Sequence, residues 1–277
     1  MIISVKEAYD VFTNEKHTVF ADCRFNLQDK NRGKKDYQNN HLPQAAYFDL
    51  EKELSGEVKE VGGRHPLPDL KKFTEALAER GIDHHTPVII YDNNRAFASR
   101  MYWMMKLINH SKVYLMNGNI EDWKSNGYPT ESHSALHSKS HYGEYNVDEE
   151  LIANQNYVKK HKNKEDVVLV DSRSYERYIG KVEPIDHKAG HIPGAINLEW
   201  TKILDEQGRF KSKEELVKYF SDLNDKEEII VYCGSGVTAA PNVIALWQAG
   251  FTNVRLYVGS FSDWISNDKN NIATNIK

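Results

Sequence analysis

The sequence predicts an α/β protein built twice from one domain plan. Three observations predict it. Four sequence blocks recur in the same order, offset by about 140 to 150 residues, a domain-sized and not a solenoid-sized period. Short apolar runs alternate with amphipathic segments, the pattern of a mostly parallel sheet covered by helices. One apolar run, Ile229-Ile230-Val231-Tyr232, ends abruptly at Cys233 and is followed by small residues, which reads as strand, tight loop and helix start.

The elements follow in chain order. Thr18-Val19-Phe20 leads into Asp22-Cys23-Arg24, as Val167-Val168-Leu169-Val170 leads into Asp171-Ser172-Arg173. His41-Leu42-Pro43-Gln44-Ala45 returns as His191-Ile192-Pro193-Gly194-Ala195. Amphipathic helices are predicted over Asp69–Leu77 and Lys213–Phe220. Val88-Ile89-Ile90-Tyr91-Asp92 matches Ile229-Ile230-Val231-Tyr232-Cys233. Val113 to Gly118 with Asp122-Trp123 matches Val254 to Gly259 with Asp263-Trp264. Residues 131–146 are polar, rich in Ser and His, and aperiodic, which reads as a linker. The expected domains are therefore 1–130 and 147–277. His133, His137 and His141 repeat every fourth residue in that linker, but no further ligand accompanies them.

Bulk properties narrow the function. A length of 277 residues, 40% hydrophobic and 27% charged, suits a globular protein of two domains. A net charge of −4 argues against a general nucleic-acid binder. Apolar runs are strand-sized, so no membrane partner is expected. Charge arrives at Lys6 and Glu7, too early for a secretory signal. Two cysteines make no disulfide framework, and a reducing cytoplasm is the expected location.

The chemistry concentrates at Cys233-Gly234-Ser235-Gly236-Val237-Thr238-Ala239. A thiol there would meet converging backbone N–H groups and the positive end of a helix dipole, which favour the thiolate. A cysteine phosphatase loop needs an arginine six residues after the cysteine; here that position is Ala239. The first copy has Asp92 where the second has Cys233, so it lacks thiol chemistry. Cys23 has no such cradle and reads as structural.

With these blocks in order, the chain resembles the tandem-domain rhodanese-type sulfurtransferases, the thiosulfate and 3-mercaptopyruvate sulfurtransferase family. The resemblance implies two duplicated rhodanese-like domains. Each would be a mostly parallel five-stranded sheet with helices on both faces. The first would be catalytically silent. It further implies that Cys233 is the catalytic nucleophile, carrying sulfur as a persulfide from a small anionic donor to cyanide or a thiol acceptor, including a thioredoxin-like protein. The loop Gly234, Ser235, Gly236, Val237 and Thr238 would bind substrate, with Arg177 of the Arg177-Tyr178 pair gripping the donor. Arg173 would pair with Asp171. His41 stands where a histidine could assist Ser235. The position nine residues before it, where the family's acidic partner is expected, is Arg32. No metal or organic cofactor is expected.

Two features pull the donor in opposite directions. Gly234 and Ser235, lacking basic side chains, resemble the 3-mercaptopyruvate branch. Asp186, nine residues after Arg177, resembles the thiosulfate branch, where a second arginine is absent; Lys188 could stand in as a point charge. The residues leave the donor open, with thiosulfate slightly ahead. The alternative is a persulfide carrier or partner-binding module that does not turn over; a pure docking module would have no need of an intact Cys233 loop.

Overall fold

The computed structural model describes residues 1–133 and 135–275. The chain divides into two units: Met1–Gly56 with Pro68–Asp148, and Glu57–Leu67 with the residues from Glu149 onward. The sequence reading kept 57–67 with the first copy; in the structure this segment belongs to the second unit.

The first unit holds β1 (Ile2–Ile3), α1 (Val5–Asn14), β2 (Val19–Asp22), α2 (Arg32–Asn39), β3 (Ala46–Tyr47), α3 (Leu70–Glu79), β4 (Val88–Tyr91), α4 (Ala96–Leu107), β5 (Val113–Met116) and α5 (Ile120–Ser125). Its sheet is five-stranded and parallel, in the order β1-β5-β4-β2-β3. The second holds β6 (Ile152–Ala153), α6 (Gln155–His161), β7 (Val167–Asp171), α7 (Tyr175–Tyr178), β8 (Ile196–Asn197), α8 (Lys213–Tyr219), β9 (Glu228–Tyr232), α9 (Ala240–Ala249), β10 (Val254–Tyr257) and α10 (Ser260–Trp264). Its sheet repeats the plan as β6-β10-β9-β7-β8, again parallel.

The unbroken apolar runs of β2, β4, β7 and β9 are buried along their whole length, because both sheet faces are covered. In the second unit Leu169, Ile230 and Tyr232 enter one core with Val158, Tyr178, Phe261 and Trp264. The alternate residues Ile229 and Val231, which point the other way, are buried too. Helices start where the side chains supply a cap: Asp69 accepts the Lys71 and Lys72 amides before α3, and Ser212 forms a capping box with Glu215 before α8. Gly250, at φ 104°, ends α9 in a conformation that favours glycine.

The topology also locates a site. The chain leaves β7 toward β8 on one side and leaves β9 toward β10 on the other. The crevice at the carboxyl ends of β7 and β9 is thus a topological switch point, where open α/β sheets bind ligands. Asp171 and Cys233 stand there.

Candidate active site

Cys233 follows the last residue of β9, is 1% exposed and is a free thiol. Its loop doubles back tightly. Gly236 sits at φ 77°, and a Cβ there would fall 2.1 Å from the carbonyl oxygen of Val258. Only glycine fits. That turn brings the Gly236 N–H to 3.2 Å from Cys233 Sγ. The turn after β10 braces the loop from below. Ser260 Oγ accepts from the Cys233 N–H at 3.1 Å, the Phe261 N–H donates to the Cys233 carbonyl at 3.0 Å, and the Ser262 N–H donates to that of Gly234 at 2.9 Å.

Two guanidinium groups cover the loop. A Cβ on Gly234 would meet Arg64 Nη2 at 2.9 Å and Arg177 Nη2 at 3.4 Å, so the missing side chain leaves room for both. Arg177 donates to Glu183 at 3.0 and 2.7 Å and to Asp186 at 3.1 Å. Arg64 pairs with the other oxygen of Asp186. Arg173 chelates Asp171 and reaches Glu183 at 3.2 Å. Glu183 and Asp186 are each 3% exposed, whereas Arg177 is 17% and Arg64 32% exposed. The carboxylates are sealed behind the cations, and the outer faces of the cations meet solvent. Burial pushes the Arg64 guanidinium below its ordinary range, and the nearby Cys233 charge pulls it back up.

Arg64 comes from the segment 57–67. Its neighbour His65 shares a hydrogen bond of 2.8 Å between Nδ1 and Ser235 Oγ. The backbone of the segment is held by Asp263, which accepts the Gly62 N–H at 2.7 Å, and by Ser262 Oγ, which accepts the Arg64 N–H at 3.1 Å.

The first unit carries the same loop in a closed form. Asp92 Oδ1 accepts the amides of Asn94 at 3.1 Å and Arg95 at 2.6 Å; Oδ2 accepts those of Phe97 and Ala98, both at 2.9 Å. Arg95, at φ 72°, takes the backbone conformation of Gly236. The amides that ring the loop converge on one anionic group, and here the chain supplies it. Burial raises the Asp92 pKa, with the Arg95 charge and these amides working against the shift.

The remaining sequence-predicted residues fall as follows. The loop residues Gly234, Ser235, Gly236 and Val237 are buried around Cys233, and Thr238 is half-buried. Arg177 reaches the loop; Arg173 is locked to Asp171, as Arg24 is to Asp22. His41 lies buried in the first unit, its Nδ1 2.7 Å from the Tyr37 carbonyl and its ring stacked on Tyr37. His191 does the same with Tyr178 in the second unit. The histidine on Ser235 is His65, not His41. Lys188 pairs with Asp268 at 2.6 Å. Cys23 contacts Met101 Sδ at 3.3 Å, and burial drives its thiol pKa well up. Arg64 and His65 are the residues that reading missed. The available signal was Gly62-Gly63-Arg64-His65-Pro66, two glycines followed by an arginine and a histidine between two predicted elements. Among the described residues, no three His, Cys, Asp or Glu side chains are placed to share a metal ion.

The chain is similar to known proteins in sequence and in fold. The Rhodanese-like domain family matches twice, over residues 4–126 and 154–267. A curated protein of Pseudomonas aeruginosa named "Probable 3-mercaptopyruvate sulfurtransferase" is 38% identical over 94% of this chain and 94% of its own length. The "Thiosulfate sulfurtransferase" of Cricetulus griseus is 30% identical over 84% of this chain and 80% of its own. The crystal structure of the Escherichia coli 3-mercaptopyruvate enzyme SseA superposes with a TM-score of 0.80, at 27% identity, over 94% of this chain and 98% of the other. The chain belongs to the rhodanese-like family as a tandem pair of its domains. It is an enzyme of the sulfurtransferase class.

Proposed function

We propose that Cys233 accepts a sulfane sulfur from a small anionic donor and passes it to cyanide or a thiol. The Cys233 thiolate attacks the outer sulfur of thiosulfate, the S–S bond breaks, and sulfite leaves with the electron pair. The enzyme then holds a Cys233 persulfide anion. An acceptor nucleophile attacks the outer sulfur, and Cys233 leaves as thiolate. With 3-mercaptopyruvate the leaving group is the pyruvate enolate. Two half-reactions with a covalent intermediate predict ping-pong kinetics.

The observation that carries this reading is the Gly236 N–H aimed at Cys233 Sγ beneath Arg64 and Arg177. The Asp92 loop supports it from inside the chain. Four amides there hold a carboxylate, and the corresponding amides of Ser235, Gly236, Thr238 and Ala239 would hold the outer sulfur of a persulfide. A carboxylate in that position cannot turn over sulfur, which makes the first unit the silent copy.

Thiosulfate is the favoured donor, with 3-mercaptopyruvate second. Arg64 and Arg177 share the carboxylates of Asp186 and Glu183, and Lys188 is engaged by Asp268, so neither Asp186 nor Lys188 supplies the second cation of a clamp for an α-keto carboxylate. The acceptor is a small thiol, cyanide or a thioredoxin-like protein, in a reducing cytoplasm, which the two free thiols support. No helix among the described residues is long and apolar enough to cross a membrane. Initial rates over a grid of donor and cyanide concentrations test the mechanism. Parallel double-reciprocal lines and an inactive Cys233→Ser variant are expected. Intersecting lines, or activity retained without the thiol, would contradict it.

A further inference from the structure

The motif Gly259 to Trp264 repeats Gly118 to Trp123, yet the two copies use it differently. In the first unit Asp122 caps its own helix, accepting the Asn119 N–H at 2.9 Å in a capping box. In the second unit Ser260, the counterpart of Asn119, is held at φ 56° with its hydroxyl between the Cys233 N–H and the Tyr257 carbonyl. The capping arrangement is lost. Asp263, the counterpart of Asp122, instead accepts the Tyr257 hydroxyl at 2.6 Å and the Gly62 N–H at 2.7 Å. Ser262 Oγ accepts the Arg64 N–H at 3.1 Å and donates to the Gly259 carbonyl at 3.1 Å.

These contacts matter because the segment 57–67 is not embedded in a core. None of its residues falls in the buried class, and Val58 and Val61 are each 63% exposed. Polar contacts seat it. Gly63, at φ 80°, lies so close to the turn that a Cβ would fall 2.3 Å from the Gly259 carbonyl oxygen and 2.8 Å from Ser262 Oγ. The same turn donates the Phe261 and Ser262 amides to the Cys233 loop. One turn therefore fixes both the thiol loop and the segment that carries the second arginine and the histidine.

We infer that Ser262 and Asp263 are positioning residues for the donor step. They dock the segment 62–65, so that Arg64 and His65 reach Gly234 and Ser235. The inference rests on the reading that Arg64 faces an anionic donor. It assigns the divergence of the repeated Asp-Trp motif to assembly of the site.

The test compares alkylation of Cys233 by anionic iodoacetate and neutral iodoacetamide, read at the Cys233 peptide by mass spectrometry. Ser262→Ala, Asp263→Asn and Gly63→Ala should each lower the iodoacetate-to-iodoacetamide rate ratio about tenfold, the scale of one charge-assisted contact. Ser262→Thr, which keeps the acceptor, should restore it. Adding Ser262→Ala to Arg64→Ala should cause no further fall, because both changes remove the same contact. An unchanged ratio in folded variants would overturn the inference. So would an equal slowing of both reagents, which would assign these residues to the cysteine loop alone, or additive effects in the double variant. Should Asp263→Asn fail to fold, Ser262→Ala and Gly63→Ala carry the test. The ratio needs no sulfur donor, so its outcome is separable from a failure of the sulfur-transfer reading itself.

Discussion

At the scale of single residues, the two copies differ in what their loop amides hold. Asp92 fills the first loop with its own carboxylate, and the second loop leaves that volume to whatever Cys233 carries. On the proposed function the cradle would stabilise an anion on the enzyme, and attracting an anionic donor would need positive charge at the mouth. Arg64 and Arg177 would supply it; each is partly exposed and each is backed by a buried carboxylate. Removing either guanidinium should therefore weaken donor capture more than the chemical step. Arg64→Ala and Arg177→Ala are expected to lower donor kcat/KM by roughly 10- to 100-fold, mostly through KM, the scale of a hydrogen bond to a charged group. Steady-state kinetics with thiosulfate checks this, and an unchanged kcat/KM in either variant would remove that arginine from the donor site. Arg177 was singled out by the resemblance, through the Arg177-Tyr178 pair after the strand that ends at Asp171, and its guanidinium lies over Gly234. Arg64 and His65 were not singled out, because nothing in residues 57–67 states which unit they dock on. The resemblance drew His41 toward Ser235, whereas its ring is engaged by the Tyr37 carbonyl, a pairing repeated by His191 and Tyr178.

At the scale of elements, the loop after β9 works because one backbone turn is forced. Gly236 holds a positive φ with the Val258 carbonyl oxygen in the space a Cβ would need. Arg95 shows that a side chain can occupy this conformation in the other copy, so the strain of φ alone is bearable and the contact with Val258 is what excludes it. Gly236→Ala should cost about 1–3 kcal/mol of stability and displace the N–H from Cys233, with a larger proportional loss of activity. Urea unfolding beside single-turnover kinetics reads both effects. An alanine variant with wild-type turnover would show that this amide does not serve the thiol. The buried strands and the helices α3 and α8 were legible because their signals are local: continuous apolar runs and amphipathic repeats. The parallel sense of the sheets followed from the strand–helix alternation, whereas the order β6-β10-β9-β7-β8 was seen only in the structure. What could not be read is the altered use of Asp263: the Gly and Asp-Trp of the motif repeat, and although Asn119, Ile120 and Glu121 give way to Ser260, Phe261 and Ser262, these changes do not by themselves announce the positive φ of Ser260.

At the scale of the whole molecule, duplication has produced two sheets of one order, of which one keeps the thiol. The first unit bears on stability. His110 is buried in the first unit with Nε2 donating to the Thr86 carbonyl at 2.8 Å and Nδ1 accepting from the Tyr142 hydroxyl at 2.9 Å. Burial pushes its pKa down to about 4. As pH falls below about 6.5 the unfolded chain binds this proton first, so stability is lost between there and pH 4, by about 3 kcal/mol in all. Thermal unfolding across that window should show a steep fall in Tm, shallower in His110→Gln; equal slopes would contradict the assignment. The central claim, however, concerns Cys233 as the sulfur carrier, and intact-protein mass spectrometry after brief exposure to thiosulfate tests it most directly. The account predicts a gain of one sulfur atom, mapped to Cys233, absent in Cys233→Ser and discharged by cyanide. No gain with either thiosulfate or 3-mercaptopyruvate, or a gain that survives Cys233→Ser, would contradict it.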